Sequence, residues 1–269
     1  ESVPFDPMEK SIHTLYEQSF TIDDRPLYKM VHEYPLDGAP PVMTHVFRNA
    51  ANDTIIACKG GVESILRQSV LTDEQKQQML EVTQQLSAQG YRVLAVAKSA
   101  KSYDKFPATQ AEFDYTFLGL IAFSDPPKKN TASIITSFYQ AGIGVKMITG
   151  DYAPTAIAIA KQIGIQNHQA VLTGDEIMLM DAVTIQEKVK ATNVYARMFP
   201  EAKLKVIEAF KRNGEVVAMT GDGVNDGPAL KAAHIGIAMG QRGTEIAKQA
   251  ASLILTDDNL QHMVEAVAL

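Results

Sequence analysis

The hydrophobic positions of this chain follow two different rhythms, and the change falls near residues 100–118. In the first part, two helices are predicted by their start signals: one over residues 7–19, with Asp6 as cap before Pro7, and one over residues 72–88, with Thr72 as cap and Gln75 three residues on. Two strand-like runs, residues 42–49 and 54–58, lie on either side of an Asn-Asp turn and predict a hairpin. This mixture predicts an α+β domain.

In the second part, short uninterrupted apolar runs alternate with helical stretches. The runs that we predict as strands cover residues 117–123, 145–149, 193–196, 216–220, 235–239 and 253–255. Apolar strands that alternate with helices are typical of a parallel sheet covered on both faces. Because ligands bind beyond the carboxyl ends of the strands in such a sheet, we expect the chemistry there.

Composition narrows the range of functions. The chain of 269 residues is 46% hydrophobic and 21% charged, which is ordinary for a globular protein. Its net charge of -6 argues against a general nucleic-acid-binding surface. The single cysteine, Cys58, excludes an internal disulfide framework. No apolar run reaches the roughly 18–20 residues that a membrane-spanning helix needs.

Two of the predicted strands end in the same tripeptide, Thr-Gly-Asp, at residues 149–151 and 220–222. A threonine hydroxyl, a glycine that lets a ligand approach the backbone, and the amides of the next helix form a phosphate-binding arrangement. The tripeptide is also ordinary turn and cap chemistry, so one copy indicates little. Two copies after parallel strands favour a phosphate site.

Two aspartates, Asp222 and Asp226, lie four residues apart among glycines. Close carboxylates repel each other and lose hydration on burial, so something must compensate. Oxygen ligands on a tight loop suit Mg²⁺, which also keeps waters and shares a phosphate oxygen. Asn225 adds an amide that can orient water or phosphate. In the alternative interpretation, Asp226 caps the next helix and Asp222 is solvated in the turn.

Lys203 lies one turn into a predicted helix that follows a short strand. A lysine there can reach the strand ends and neutralise phosphate charge. The alternative is a solvated lysine on an exposed helix face, like Lys205 or Lys211.

Five segments, in their order along the chain, resemble the P-type cation-transporting ATPases: KGGVESIL, FSDPPKK, MITGD, ARMFPEAK and MTGDGVNDGPALKAAHIGIAMG. The resemblance covers essentially the whole chain, and TGDGVNDGPAL is highly specific. It implies an α/β fold in which a haloacid-dehalogenase-like Rossmannoid parallel sheet, with its first strand missing, forms a phosphorylation domain over residues 116–269. It also implies an α+β nucleotide-binding domain over residues 1–115.

The resemblance implies roles for particular residues, with ATP and Mg²⁺ as cofactors. The residues implied in phosphoryl transfer are Thr149, Gly150, Lys203 and Asn225. The residues implied at the Mg²⁺ are Asp222 and Asp226. The residues implied in binding ATP are Glu9, Lys59, Gly60, Arg92, Asp151 and Arg197. Phosphoryl transfer needs positioning and charge neutralisation more than covalent chemistry, which agrees with these residue types.

The sequence departs from the family in two places. The nucleophile of the family is an aspartate in an Asp-Lys-Thr-Gly-Thr loop upstream of the nucleotide domain, and no such motif occurs here. Without that aspartate no aspartyl-phosphate can form. The adenine-stacking phenylalanine of the family aligns with Leu36, and nearby basic positions fall on Gly38 and Pro41. We therefore expect weak nucleotide affinity.

The resemblance implies that the chain is the cytoplasmic headpiece of an ATP-driven cation pump. The parent protein would then be an integral membrane protein, and we expect this fragment alone to be inactive. The KGG and DPPK motifs, without a His-Pro motif, favour the calcium, sodium or proton branches, and of these we favour calcium. Two alternatives stay open. One is a catalytically dead module that binds nucleotide and Mg²⁺, and the other is a soluble phosphatase of the same fold.

Overall fold

The computed structural model describes residues 7–99, 103 and 105–267. They form two compact units, the first running to Ser124 apart from residues 87–90, and the second comprising residues 87–90 and the chain from Asp125 onward. Over these described ranges, no helix combines the length and the apolar character needed to cross a membrane.

The first unit is built on a five-stranded antiparallel sheet whose strands are neighbours in chain order. The strands are β1 Tyr28–Asp37, β2 Val42–Asn49, β3 Thr54–Gly60, β4 Arg92–Ser99 and β5 Thr116–Phe123. The helices are α1 Pro7–Ser19, α2 Val62–Gln68 and α3 Asp73–Ala88. The predicted hairpin is confirmed as β2 and β3, and alternate residues of both strands, such as Val46 and Ile56, are buried in the core.

One strand was assigned to the wrong sheet. The apolar run 117–123 was expected in the parallel sheet, but β5 pairs antiparallel with β4, with Leu94 opposite Ile121. The prediction was wrong because a short apolar run does not indicate which strands it will pair with. The division between the two units accordingly falls after β5.

The second unit alternates helices and strands, as the apolar runs predict. The strands are β6 Met147–Ile148, β7 Val171–Thr173, β8 Val194–Ala196, β9 Ala218–Gly221, β10 Ile235–Met239 and β11 Leu253–Leu255. The helices are α4 Thr131–Gln140, α5 Ala153–Gln162, α6 Gly174–Leu179, α7 Ala182–Ala191, α8 Pro200–Arg212, α9 Gly227–Ala232, α10 Glu245–Ala250 and α11 Gln261–Val267. The predicted combination of an α/β parallel fold with an α+β domain is confirmed.

The parallel strands form two three-stranded sheets, in the orders β6-β8-β7 and β9-β10-β11. Val194 and Tyr195 of β8 are fully buried, and α8 packs Ala202 and Val206 against Tyr195. Ile148 of β6 packs both against this cluster and against a second one that contains residues of β9 and β10. This shared packing brings the carboxyl ends of β6 and β9 together.

Candidate functional site

The carboxyl ends of β6 and β9 open into a cleft of about 380 Å³. Its lining consists of Ile148, Thr149, Gly150, Lys203, Met219, Thr220, Gly221, Asp222, Asp226 and Met239. Residues from both Thr-Gly-Asp tripeptides therefore line one space, although they are far apart in sequence. The strand-end location expected of a ligand site in a parallel sheet is the location observed.

Lys203 and Asp226 form a buried ion pair in this cleft. Pro200 occupies the first position of α8, where its missing N–H costs nothing, and Lys203 follows on the buried face of the helix. Its Nζ donates to Asp226 Oδ1 over 2.7 Å, and each side chain is 11% exposed. Burying either charge alone would be expensive, so each stabilises the other.

Of the two comparison lysines on α8, Lys211 is exposed, as the sequence interpretation has it, whereas Lys205 is half-buried. Lys205 Nζ donates to the carbonyl oxygens of Ile177 and Met180 at the end of α6, over 2.9 and 2.6 Å. Lys211 Nζ donates to Ala232 O over 2.6 Å. Both lysines satisfy helix-terminal carbonyls, a contact that sequence spacing does not reveal.

The second oxygen of Asp226 holds the backbone of the loop. Asp226 Oδ2 accepts from the N–H groups of Asp222, over 3.3 Å, and of Gly223, over 3.1 Å. Gly221 permits this approach, because a Cβ there would lie 2.6 Å from Asp226 Cβ. Both carboxylate oxygens of Asp226 are thus engaged by the protein, and in this geometry Asp226 shapes the loop around a ligand. Its direct ligation of a metal stays a prediction.

Asp222 is the carboxylate that best suits a metal. It is exposed and lines the cleft, and its backbone oxygen is fixed by the N–H of Thr244 over 2.8 Å. Within the described residues, no group of three or more His, Cys, Asp or Glu side chains is arranged so that it could hold a metal ion. Mg²⁺ is usually held by one or two carboxylates with waters and substrate phosphate, so a single exposed carboxylate beside a phosphate-sized space fits it. Asn225 is exposed on the adjoining 3-10 turn and does not line the cleft.

The first tripeptide forms a tight turn at the end of β6. Thr149 Oγ1 donates to Asp151 Oδ2 over 3.0 Å and accepts from the Asp151 N–H over 3.1 Å. The N–H of Arg197 donates to Asp151 O over 2.8 Å, and the Arg197 guanidinium lies 4.8 Å from the centre of the Tyr152 ring. Asp151 and Arg197, both predicted to contact nucleotide, therefore lie together beside the cleft.

A third Thr-Gly-Asp tripeptide was overlooked in the sequence. It occupies residues 173–175, after β7, and is as visible in the sequence as the other two copies. Thr173 Oγ1 donates to Glu176 Oε2 over 2.8 Å, and Glu176 Oε2 also accepts from the Thr173 N–H over 2.7 Å. Asp175 is exposed. This copy is a capping box for α6 and does not line the cleft.

In the first unit, three of the predicted ATP-binding residues lie close together. Lys59 Nζ, on β3, donates to Glu9 Oε1 on α1. Gly60 follows Lys59 with φ of 156°, and a Cβ there would lie 2.5 Å from Pro41 O. Arg92 is exposed at the start of β4, which is the neighbour of β3.

The turn between β1 and β2 packs closely against this region. Leu36 is 62% exposed, and Pro40 packs so tightly on Gly61 that a Cβ there would lie 2.5 Å from Pro40 Cβ. Ser64 Oγ on α2 donates to Pro40 O over 2.6 Å. An aliphatic side chain and a turn that contains prolines thus lie where the sequence resemblance predicts an aromatic residue and basic residues.

Comparison with known proteins identifies the family of the chain. Residues 36–234 match the sequence profile of the haloacid dehalogenase-like hydrolases. The chain belongs to this family. The family's hydrolytic chemistry is consistent with a polar cleft at the carboxyl ends of parallel strands.

Similar curated proteins carry names of cation pumps. The chain is 41% identical over 248 residues to the probable cation-transporting ATPase F of Mycobacterium bovis, covering 87% of this chain and 27% of that protein. It is 37% identical over 262 residues to calcium-transporting ATPase 1 of Saccharomyces cerevisiae, covering 91% and 28%. It is 34% identical over 285 residues to a sodium/potassium exporting P-type ATPase of Schizosaccharomyces pombe, covering 97% and 27%.

These similarities confirm the resemblance to the P-type cation-transporting ATPases over most of the chain. The chain spans a little over a quarter of the length of the relatives it matches.

Proposed function

We propose that this chain is the ATP-binding and phosphorylation headpiece of an ATP-driven cation pump. In the parent protein, ATP would phosphorylate an aspartate, and the phosphoenzyme cycle would drive cation transport. The observation that carries the proposal is the cleft in which the Thr149 and Thr220 strand ends, the Lys203–Asp226 pair and Asp222 meet.

Each group in the cleft has a place in phosphoryl transfer. Thr149 and Gly150 hold the transferred phosphoryl group, and the positive charge of Lys203 offsets its negative charge. Asp222 would hold Mg²⁺, which would supply neutralisation of the phosphate charge. Asp226 keeps Lys203 and the Asp222 loop in register, and Asn225 stands at the rim of this loop.

The first unit would supply the nucleotide site and residues 125–269 the phosphorylation domain. Glu9, Lys59, Gly60 and Arg92 form the proposed contacts to ATP in the first unit, and Asp151 and Arg197 those in the second. Because Leu36 is aliphatic and the turn after it is filled by prolines, base stacking and charge contacts are reduced there. We therefore expect ATP to bind weakly to this chain.

The nucleophile would come from a segment of the parent that this sequence does not contain. The chain has no Asp-Lys-Thr-Gly-Thr motif. Its parallel strands form two sheets, and the cleft lies at the ends of β6 and β9, one strand from each sheet. A strand carrying the aspartate would fit between them. On this proposal the isolated chain binds Mg²⁺ and nucleotide without turnover.

We propose calcium as the transported cation and the cytoplasm as the side of the membrane on which this part works. Relatives named as calcium-transporting ATPases support calcium, although one similar protein is named for sodium and potassium. The ion pathway itself would lie in membrane helices of the parent.

Sequencing the parent gene on both sides of this segment tests the proposal. We expect an Asp-Lys-Thr-Gly-Thr motif upstream and apolar segments of about 20 residues on the flanks. A start codon and a stop codon that bracket these 269 residues would contradict the pump. The exposed Leu36 would then favour the catalytically dead binding module. Phosphatase turnover by the purified chain would instead favour the soluble phosphatase.

A further inference from the structure

The described residues contain three buried charged side chains, and the proposed function uses only two of them. Lys203 and Asp226 form the pair in the cleft, whereas Asp258, only 6% exposed, lies between β11 and α11. A buried carboxylate is costly unless the protein satisfies its oxygens. Asp258 therefore needs a structural or functional reason.

The carboxylate of Asp258 fixes the loop that follows β10. Its Oδ1 accepts from the Gln241 N–H and its Oδ2 from the Arg242 N–H, each over 3.0 Å. Both oxygens are therefore used on successive amides of residues 240–244, which we call the 240–244 loop. Donation from the Gln241 amide, the largest contribution, holds the pKa of Asp258 below its ordinary value, so the carboxylate is charged near neutral pH.

Asp258 is itself held in a backbone conformation that side chains seldom adopt. Its φ is 56°, in the left-handed region that costs a non-glycine residue energy. Its N–H donates to Leu255 O over 3.1 Å, and Lys128 Nζ donates to its carbonyl oxygen over 2.9 Å. Hydrogen bonds at both the N–H and the carbonyl oxygen of Asp258 thus hold its backbone in this conformation.

The far end of the 240–244 loop reaches the proposed metal ligand. The N–H of Thr244 donates to the backbone oxygen of Asp222 over 2.8 Å. The loop has little room to shift, since a Cβ at Gly243 would lie 1.9 Å from Met239 O. Met239 lines the cleft. The Asp258 carboxylate and the Asp222 backbone oxygen are therefore each hydrogen-bonded to the 240–244 loop, at Gln241 and Arg242 and at Thr244, and the covalent chain of the loop joins these points.

We propose that Asp258 is a positioning residue for the Mg²⁺ site, acting through the 240–244 loop on the backbone of Asp222. The inference rests on the proposed function, because it assumes that Asp222 holds the metal. Neutralising Asp258 to asparagine replaces one acceptor oxygen by an NH₂ group that faces an N–H donor. The loop should then loosen, and Asp222 should hold Mg²⁺ less well.

The test is a titration of Mg²⁺ into the ¹⁵N-labelled 269-residue chain, followed by the amide signals of Asp222 and Gly223. For Asp258→Asn we expect the dissociation constant of Mg²⁺ to rise about tenfold, as for other outer-shell partners of metal ligands. Asp257→Asn is the matched control, because it removes the same charge one residue away, where the side chain is exposed and contacts His262. Its Mg²⁺ dissociation constant should stay unchanged.

A folded Asp258→Asn chain with the Mg²⁺ affinity of the unmodified chain would overturn the proposal. So would an equal loss in Asp257→Asn. If Asp258→Asn does not fold, hydrogen exchange in the unmodified chain decides. We expect Mg²⁺ to slow exchange at the Thr244, Gln241 and Arg242 amides, and unchanged exchange at these amides would overturn the proposal.

The outcomes separate this inference from the proposed function. Mg²⁺ binding that is lost in Asp222→Asn but kept in Asp258→Asn would sink the positioning role and leave the metal site intact. Mg²⁺ binding that is insensitive to Asp222→Asn would sink both.

Discussion

The Thr-Gly-Asp tripeptides at residues 149–151 and 173–175 have the same three residues after a parallel strand, yet they do different things. The first lines the cleft, with Thr149 turned onto Asp151 and Gly150 exposed. The second closes a capping box with Glu176, and its glycine is buried. A glutamate three residues after the threonine draws its hydroxyl into helix capping. This difference shows that the residues around a short motif determine whether the motif is available to a ligand.

The same contrast extends to two of the three lysines of α8. Lys203 serves the cleft through Asp226, and Lys205, two residues on, serves the helix of the capping tripeptide through the carbonyls of Ile177 and Met180. One turn of helix thus stabilises a ligand site on one side and a helix end on the other. Matched substitutions in the cleft and around the capping box of α6 test this difference.

The largest effect is expected from Lys203→Met. Removing this lysine leaves Asp226 as an uncompensated buried carboxylate, so the free energy of unfolding should fall by about 3–5 kcal/mol. Lys205→Met removes helix-terminal contacts and should cost only about 1 kcal/mol. Urea unfolding of both variants measures the difference. Equal losses would show that the Lys203–Asp226 pair is no more important than a helix cap.

The next effect concerns the aspartates. Asp222→Asn should raise the Mg²⁺ dissociation constant by at least about tenfold, since even outer-shell changes cost that much. Stability should change by less than about 0.5 kcal/mol, because the side chain is exposed. The control is Asp175→Asn in the capping tripeptide, which should leave Mg²⁺ affinity unchanged. Calorimetric titration with Mg²⁺ compares the two, and a loss in the control of similar size would contradict the assignment.

The threonines should show opposite patterns. Thr149→Ala should weaken binding of a Mg²⁺-bound, non-hydrolysable ATP analogue about tenfold, because one hydrogen bond to a charged group is lost. Thr173→Ala should leave that affinity unchanged and lower the free energy of unfolding by about 1 kcal/mol through loss of the cap. Binding and unfolding are measured on both variants. A swap of the two patterns would refute the comparison.

The smallest effect is a pH dependence on the capping side. Asp181 caps α7, and its bond from the Thr184 N–H, with an Oδ1 distance of 2.7 Å, lowers the pKa of its carboxyl from the ordinary 3.8. A depressed pKa in the folded state contributes stability above pH 3.8, and this stability is lost as the pH falls through the lowered value. Asp181→Asn should remove this part of the acid sensitivity.

The test for Asp181 is urea unfolding between pH 5 and pH 2.5, compared with the same series for Asp181→Asn. An unchanged pH profile in the variant would show that another carboxylate is responsible. Mg²⁺ affinity at pH 7 should be the same in both proteins, because Asp181 does not line the cleft.

Much of the fold could be predicted from local patterns. The boundaries of β2, β10 and β11 match the predicted runs. The three-residue spacing of Thr72 and Gln75 predicts a capping box, and this capping box is present at the start of α3. The partner of β5 could not be predicted, because strand pairing depends on residues far along the chain. β7 and α6 could not be predicted, because they are too short to show a period.

The cleft residues could be predicted from type and position, but their division of labour could not. Lys203, Asp222 and Asp226 lie together as the motifs predict. One oxygen of Asp226 accepts from Lys203 and the other from the loop amides. This arrangement depends on side-chain geometry, which the sequence does not reveal. The importance of Asp258 was equally hidden, since its partners are backbone amides 16 and 17 residues earlier.

The most direct test of the account follows the amide signals of the three tripeptides while Mg²⁺ and then the ATP analogue are added to the chain. The account predicts shifts at Asp222 and Gly223 with Mg²⁺, further shifts at Thr149 and Gly150 with the analogue, and none at residues 173–175. Shifts at residues 173–175 as large as those in the cleft, or none at Asp222, would contradict it.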